Sequence, residues 1–403
     1  MERLPLSGLR VLELAGVLAG PAVGMFLAEL GADVVKVENP RTGGDVTRGW
    51  LLPGETPLAP GVSSYFSCVN WGKRSVAIDL ATPAGRDVVR ALARRADVLL
   101  QSFRPGQAVS LGLPPERLRA ENPGLVVADV TAYGDDDDRP GYDALLQAGT
   151  GFMAMNGTPD TGPLKMPVAL IDVLAGHQLK EAVLVALLER AQTGRGRRVS
   201  VSLQRSGLSS LANQASGWLV AGREPRPLGS GHPSIVPYGE VLRCADARAI
   251  VLGVGTDRQF SALCDALGVS GLATDPRFRR NADRVRNRDL LGELLGERVG
   301  HLESGPLLRE LARRGVPASP VLGVGEALGE AGATPLILRS GAWLGLRTAA
   351  IDTGIPLAET LAPPPPLSRD ARTVLADDLE LDREEIEALF ASGAVLAAET
   401  PDA

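Results

Sequence analysis

The sequence predicts an α/β protein with a parallel sheet covered by helices. Three observations lead there. Short apolar, β-branched runs alternate with helical patterns through the first half of the chain. The segments between runs are long enough for crossover helices. Glycines and a helix-opening proline mark the changeovers.

Leu9 to Leu14 is the first strand and ends near Gly16. A helical stretch, Pro21 to Leu30, follows and is closed by Gly31. Asp33 to Glu38 and Ser75 to Leu80 are the next strands. Pro83 opens a helix through Arg95, with Val88/Leu92 and Val89/Ala93 at i,i+4 spacing. Asp97 to Phe103, Leu125 to Tyr133 and Arg198 to Leu203 are further strands, and a long helix runs from Asp172 to Ala191. Sheets of this kind bind ligands beyond the carboxyl ends of their strands. The loops after Leu14, Glu38, Phe103 and Tyr133 are therefore the first places to look for a site. The Pro/Gly-rich stretch Gly222 to Pro237 reads as a domain boundary. Short strands over Tyr238 to Val254 and a mostly helical Asp257 to Leu311 follow, in a unit ending near Val321. A capped helix is expected at Asp382 to Phe390.

A chain of 403 residues suggests two or three domains. The net charge of −6 argues against a nucleic-acid partner, so an anionic ligand would need a local basic patch. Cys68, Cys244 and Cys264 form no CxxC, and with His177, His232 and His301 they show no metal-ligand spacing. No run of about 18 apolar residues predicts a membrane span. The opening Met1-Glu2-Arg3-Leu4-Pro5 lacks a signal-peptide run, so a cytoplasmic location is expected.

Asp172 follows an apolar run and begins a helix. Helix capping explains such an aspartate, and a catalytic carboxylate does too; the helix dipole and backbone donors would keep it ionised in either role. Tyr142-Asp143 fits a turn before a helix. Gly229 to His232 reads as a linker, or as a loop offering backbone donors to an oxyanion. Gly16 to Gly20 lacks the GxGxxG spacing of a nicotinamide site. Arg41, Arg48, Lys73, Arg74 and Arg104 lie in or near the expected ligand-side loops, as surface charge or as a phosphate-binding cluster.

Many motifs in order carry a family resemblance. They include Leu6-Ser7-Gly8-Leu9-Arg10-Val11-Leu12-Glu13, Ala19-Gly20-Pro21, Leu30 to Glu38, Asn70 to Ser75, Phe103-Arg104-Pro105-Gly106, Thr193 to Gly196, His232 to Tyr238 and Asp275 to Phe278. Through them the chain resembles the class III coenzyme A-transferases, the carnitine/bile-acid/formyl-CoA transferase (CaiB/BaiF-like) family that also includes α-methylacyl-CoA racemases. The resemblance implies a Rossmann-like large domain of parallel sheet built from both chain ends, a smaller α+β domain, and an interlocked homodimer. The matching segments are 1–205 and 326–403 for the large domain, 206–225 as a linker helix region and 226–325 for the small domain.

The resemblance implies transfer of coenzyme A from an acyl-CoA donor to a carboxylic acid acceptor through an aspartyl-CoA thioester, with no metal. It makes Asp172 the nucleophile and gives Tyr142, Gly231 and His232 catalytic places. Coenzyme A contacts are implied at Leu18, Ala19, Asn39, Lys73, Arg74, Ile78, Ala81, Ser102, Phe103, Arg104, Ser110, Gly141 and Asp143. Departures from the pattern matter. Leu18 replaces the glutamine of formyl-CoA transferases, which argues against formate/oxalate chemistry. Asn39 and Ser110 stand where many relatives have arginine, so Arg104, Lys73 and Arg74 are expected to carry more of the phosphate grip. The loop Gly134 to Arg139 carries four aspartates. A racemase, a CoA lyase on the same fold and a non-catalytic acyl-CoA-binding protein are the alternatives; for the racemase, Tyr142 stands at the position of the expected histidine base.

Overall fold

The computed structural model describes residues 3–398; Met1, Glu2 and residues 399–403, parts of the first and last expected segments, lie outside it. The β-branched runs form strands β1 (Arg10–Leu14), β2 (Asp33–Glu38), β3 (Lys73–Ala77), β4 (Val98–Gln101), β5 (Val126–Thr131) and β6 (Arg198–Ser202). They build one six-stranded sheet in the order β3-β2-β1-β4-β5-β6, and every pairing is parallel. The α/β expectation is met. The order reverses between β1 and β4, where a doubly wound sheet opens a crevice at its carboxyl edge.

Alternation along the strands divides the core. Leu12, Val35, Leu99 and Val127 point to one face, against Val88 and Leu92 of helix α2 (Pro83–Arg95). Val11, Val34, Val98 and Val126 point to the other, against Val23 and Leu27 of α1 (Ala19–Glu29) and Ile171, Leu179 and Val183 of α4 (Leu170–Thr193). Helix α3 (Asp143–Gly149) packs at the start of α4 through Leu146. Gly194, at φ +70°, ends α4 in the left-handed conformation that glycine adopts without strain.

The chain divides into two compact units. The first comprises the described part of 1–152 with 166–213 and 335–398; the second comprises 153–165 and 214–334. In the second unit, β7 (Tyr238–Arg243), β8 (Ala249–Gly253) and β9 (Ala318–Pro320) form an antiparallel sheet. Helices α5 (Asp257–Leu267), α6 (Arg288–Gly300) and α7 (Ser304–Arg313) share a core with it through Phe260, Leu263, Leu295 and Leu311. A capping box between Thr256 and Gln259 starts α5.

The chain then returns to the first unit with the hairpin β10 (Ile337–Ser340) and β11 (Trp343–Leu346) and the capped helix α8 (Arg383–Ala391). Val374, Leu375 and Ile386 enter the core beside α2, and Ala77 and Ser75 of edge strand β3 donate backbone N–H bonds to Ser368 and Asp370. No helix among the described residues is long and apolar enough to cross a membrane.

Candidate active site

A cleft of about 200 Å³ opens beyond the ends of β1, β4 and β5. A second cavity of about 390 Å³ adjoins it beyond β2 and β3. Gly16, Val17 and Phe103 line both, so the two run into one groove across the switch point.

Asp172 lines the first cleft and is 8% exposed. The structure changes the expected reading of this residue. Asp172 does not cap α4; the N-cap position is Ala169, and the helix-start N–H groups of Ile171 (2.7 Å) and Asp172 (3.4 Å) donate to Asp143 Oδ1. Asp143, anchored also by Gln147 Nε2 at 2.6 Å, thus takes the capping role from a different helix. The Asp172 carboxyl has no hydrogen-bond or ion-pair partner among the described residues. Burial first, and the Asp143 charge second, push it up to about 7 instead of holding it low. A buried, unpaired carboxyl facing a cleft is available to bond to a substrate carbonyl.

Gly141 and Tyr142 border the same cleft. A side chain at Gly141 would meet Ala132 Cβ at 2.5 Å, so only glycine lets this loop lie so close. Tyr142 occupies the N-cap position of α3 and is 61% exposed. Leu18 and Ala19, at the start of α1, and Ser102, Phe103 and Arg104, after β4, complete the wall. Among the described residues, the Arg104 guanidinium has no hydrogen-bond partner. Asn39, Ile78 and Ala81 line the second cavity; Asn39 Oδ1 accepts from Arg41 N at 3.0 Å and caps a short turn.

The loop shared by both cavities is held in an unusual shape. Val17, a β-branched residue, has φ +68°. Its N–H donates to the Asp45 carboxylate at 3.1 Å, and Gly16 N–H donates to Ser102 Oγ at 3.1 Å. Asp45 is paired with Lys36 at 3.0 Å, and Lys36 with Glu13 at 3.1 Å; Lys73 reaches the same Glu13 at 2.8 Å. Burial opposes ionisation of Asp45, but Lys36 and the Thr47 donors together outweigh it and hold its carboxyl below the usual range. Burial pushes Lys73 down to about 8, against the pull of Glu13.

Several expected phosphate ligands lie elsewhere. Lys73 is 1% exposed and fully engaged by Glu13, Asn70 and the Pro21 carbonyl, so it offers no ammonium to a ligand. Arg74 pairs with Asp33 and Asp378 at the amino ends of β2 and β3, away from the ligand edge. Arg48 makes a buried two-bond pair with Glu38 at 2.7 Å and lies over Phe66. Ser110 is exposed, turns its hydroxyl to the Gln107 carbonyl, and lines neither cavity. Asp143 stands behind the cleft wall, not in it. Gly231 and His232 belong to the second unit, where His232 N–H donates to Tyr238 O at 2.9 Å and its Nδ1 accepts from Ser234 N at 3.1 Å.

Sequence reasoning missed Asp45 and Tyr65. The half-buried Tyr65 packs edge-on against Trp50 at 4.9 Å. Burial first, and the Asp172 charge second, push its phenol up to about 12. Neither residue carried a signal: Asp45 after Gly43-Gly44 reads as a turn, and Tyr65 sits in a short helical turn without periodicity. Among the described residues no group of three or more His, Cys, Asp or Glu is arranged to hold a metal ion.

Comparison with known proteins shows the family and supports the fold. The family model described as CoA-transferase family III matches residues 6–364. The succinate–glutarate CoA-transferase of Agrobacterium fabrum is 39% identical over 331 residues, covering 80% of this chain and 81% of that protein. The succinyl-CoA:glutarate CoA-transferase of Mus musculus is 32% identical over 410 residues, covering 98% and 91%. A crystal structure of a CaiB/BaiF family protein from Brucella suis matches with a TM-score of 0.84 at 37% identity, covering 94% of this chain and 100% of that one.

Proposed function

The chain belongs to CoA-transferase family III, and from that premise we propose that it moves coenzyme A between carboxylic acids through a covalent thioester on Asp172. One observation carries the reading: Asp172 is the buried, unpaired carboxyl of the cleft, while its neighbour Asp143 is consumed by helix capping.

The steps balance without water. An Asp172 oxygen attacks the donor thioester carbonyl, the C–S bond breaks, and CoA leaves as thiolate, giving a mixed anhydride. The thiolate attacks the aspartyl carbonyl and releases the donor acid, leaving aspartyl-CoA. The acceptor carboxylate attacks that thioester, and the returning thiolate takes the acceptor acyl group, restoring the Asp172 carboxylate. Burial that raises the carboxyl also destabilises the charged nucleophile relative to the neutral anhydride and thioester, and keeps water from hydrolysing them. In the same reading the thioester end of acyl-CoA lies in the first cleft, beside Leu18, Ala19, Gly141 and Tyr142. The pantetheine arm passes Gly16, Val17 and Phe103 into the cavity of Asn39, Ile78 and Ala81.

The test is an exchange assay. Acyl-CoA is incubated with isotopically labelled acids, beginning with succinate and glutarate, which the names of the relatives carry. Label entering the thioester with double-displacement kinetics, and its loss in Asp172→Asn, is the expected result. Exchange of the α-proton with deuterated water without acid transfer points instead to a racemase.

A further inference from the structure

We propose that Arg41 and Arg86 grip the phosphates of acyl-CoA at the outer end of the second cavity, displacing Asp79 from Arg41 as they do so. The proposal rests on acyl-CoA being the ligand of this groove. If the thioester must reach Asp172 in the first cleft, the nucleotide end points the other way, into the second cavity and past it. The diphosphate and the 3′-phosphate, with about four negative charges together, then need partners there.

Two cations line that cavity, Lys36 and Arg41. Lys36 is 1% exposed and already neutralised by Glu13 and Asp45, so Arg41 is the one that a ligand can reach. Its side chain is 63% exposed, and its Nε and Nη2 both donate to one oxygen of Asp79, at 2.8 and 2.7 Å. A pair with so exposed a cation is worth little in water. A phosphate offers several charged acceptors to the same fork, so exchange of partner is favoured.

Arg86, on α2, reaches the rim of the same cavity. Its Nη1 donates to the carbonyls of Leu80 and Ala81, both at 3.0 Å, and both residues line the cavity. These two bonds fix the guanidinium while leaving Nη2 and Nε unbonded, and among the described residues Arg86 has no carboxylate partner. A cation held by neutral carbonyls keeps its whole charge for a ligand, unlike Arg48 or Lys73.

The experiment compares acyl-CoA with the corresponding S-acyl-pantetheine, which lacks the phosphates. Arg41→Ala and Arg86→Ala each raise KM for acyl-CoA about tenfold, the value of one charge-assisted hydrogen bond, and leave KM for acyl-pantetheine within about twofold. Arg86→Lys recovers part of the loss. Adenosine 3′,5′-bisphosphate inhibits the wild type and weakens as an inhibitor of both alanine variants. Asp79→Asn, which keeps an acceptor for Ala81 N–H but frees Arg41, lowers KM for acyl-CoA, and less so at high salt. Arginine variants unchanged toward acyl-CoA, or impaired equally toward both thioesters, overturn the grip while leaving the reading of the site intact. A wild-type protein that neither binds nor turns over any acyl-CoA overturns both.

Discussion

Asp172 and Asp143 show how one pair of carboxyls divides two tasks by position alone. Asp143 meets helix-start N–H groups and Gln147; among the described residues the Asp172 carboxyl has no hydrogen-bond or ion-pair partner, and it is desolvated. The division predicts a pH profile. The nucleophile must be ionised, so kcat/KM rises with unit slope toward pH about 7 and then levels. Asp143→Asn keeps an acceptor for Ile171 N–H and removes the neighbouring charge, so the acid limb moves to lower pH. Stability runs the opposite way. The folded Asp172 carboxyl titrates at about 7 against an ordinary 3.8, so between those values the folded state holds the extra proton and stability falls as pH rises. Asp172→Asn is therefore expected to be more stable than the wild type at pH 8, by on the order of 2–4 kcal/mol. The difference disappears at pH 4. Urea titrations at the two pH values measure it, and equal stabilities at pH 8 would show that the carboxyl is not desolvated.

At the scale of elements, the loop from β1 to α1 is shaped by charges from three other strands and loops. Asp45 holds Val17 N–H, Lys36 holds Asp45, and Glu13 holds Lys36 and Lys73. A β-branched residue at positive φ costs about 1–3 kcal/mol and persists only where its surroundings fix it. Asp45→Ala removes the acceptor and leaves Lys36 short of a buried partner, so a loss of about 3 kcal/mol or more is expected in thermal unfolding, with a raised KM. Gly24→Ala tests the same cluster from the helix side. Its new Cβ would lie 1.9 Å from Glu13 Oε2, and destabilisation by several kcal/mol is expected. None of this network was legible in sequence, because periodicity reports faces and lengths, whereas these partners are 9 to 60 residues apart. It also explains why Lys73 looked like a ligand-side cation: a lysine opening a strand is usually solvated, and here Glu13 draws it inside.

For the whole molecule, alternation and crossover length were enough to foresee the parallel sheet, because β1, β2, β4 and β5 carry short apolar runs and β6 alternates. Strand polarity pointed to the loops after Leu14, Glu38 and Phe103, whose residues Gly16, Asn39 and Arg104 line the two cavities, whereas Asp172 entered through the family resemblance. The cap of α4 was misplaced because its acceptor comes from 28 residues away, which local spacing does not reveal. Nor did spacing show that the chain's last stretch covers the β3 edge. Leu396 N–H bonds Ala77 O, and Ala394 O accepts from Asp79 N–H. Removing residues 366–403 is expected to expose that edge and abolish hydrogen-exchange protection of the Ser75 and Ala77 amides. Retained protection would show that the return segment is dispensable. Yet the sharpest question concerns the covalent bond itself. The protein should be incubated with an acyl-CoA in the absence of acceptor, quenched with hydroxylamine and digested for mass spectrometry. A hydroxamate on the peptide carrying Asp172, absent when the thioester is omitted, is the predicted result. A protein that continues to transfer coenzyme A while that peptide stays unmodified contradicts it.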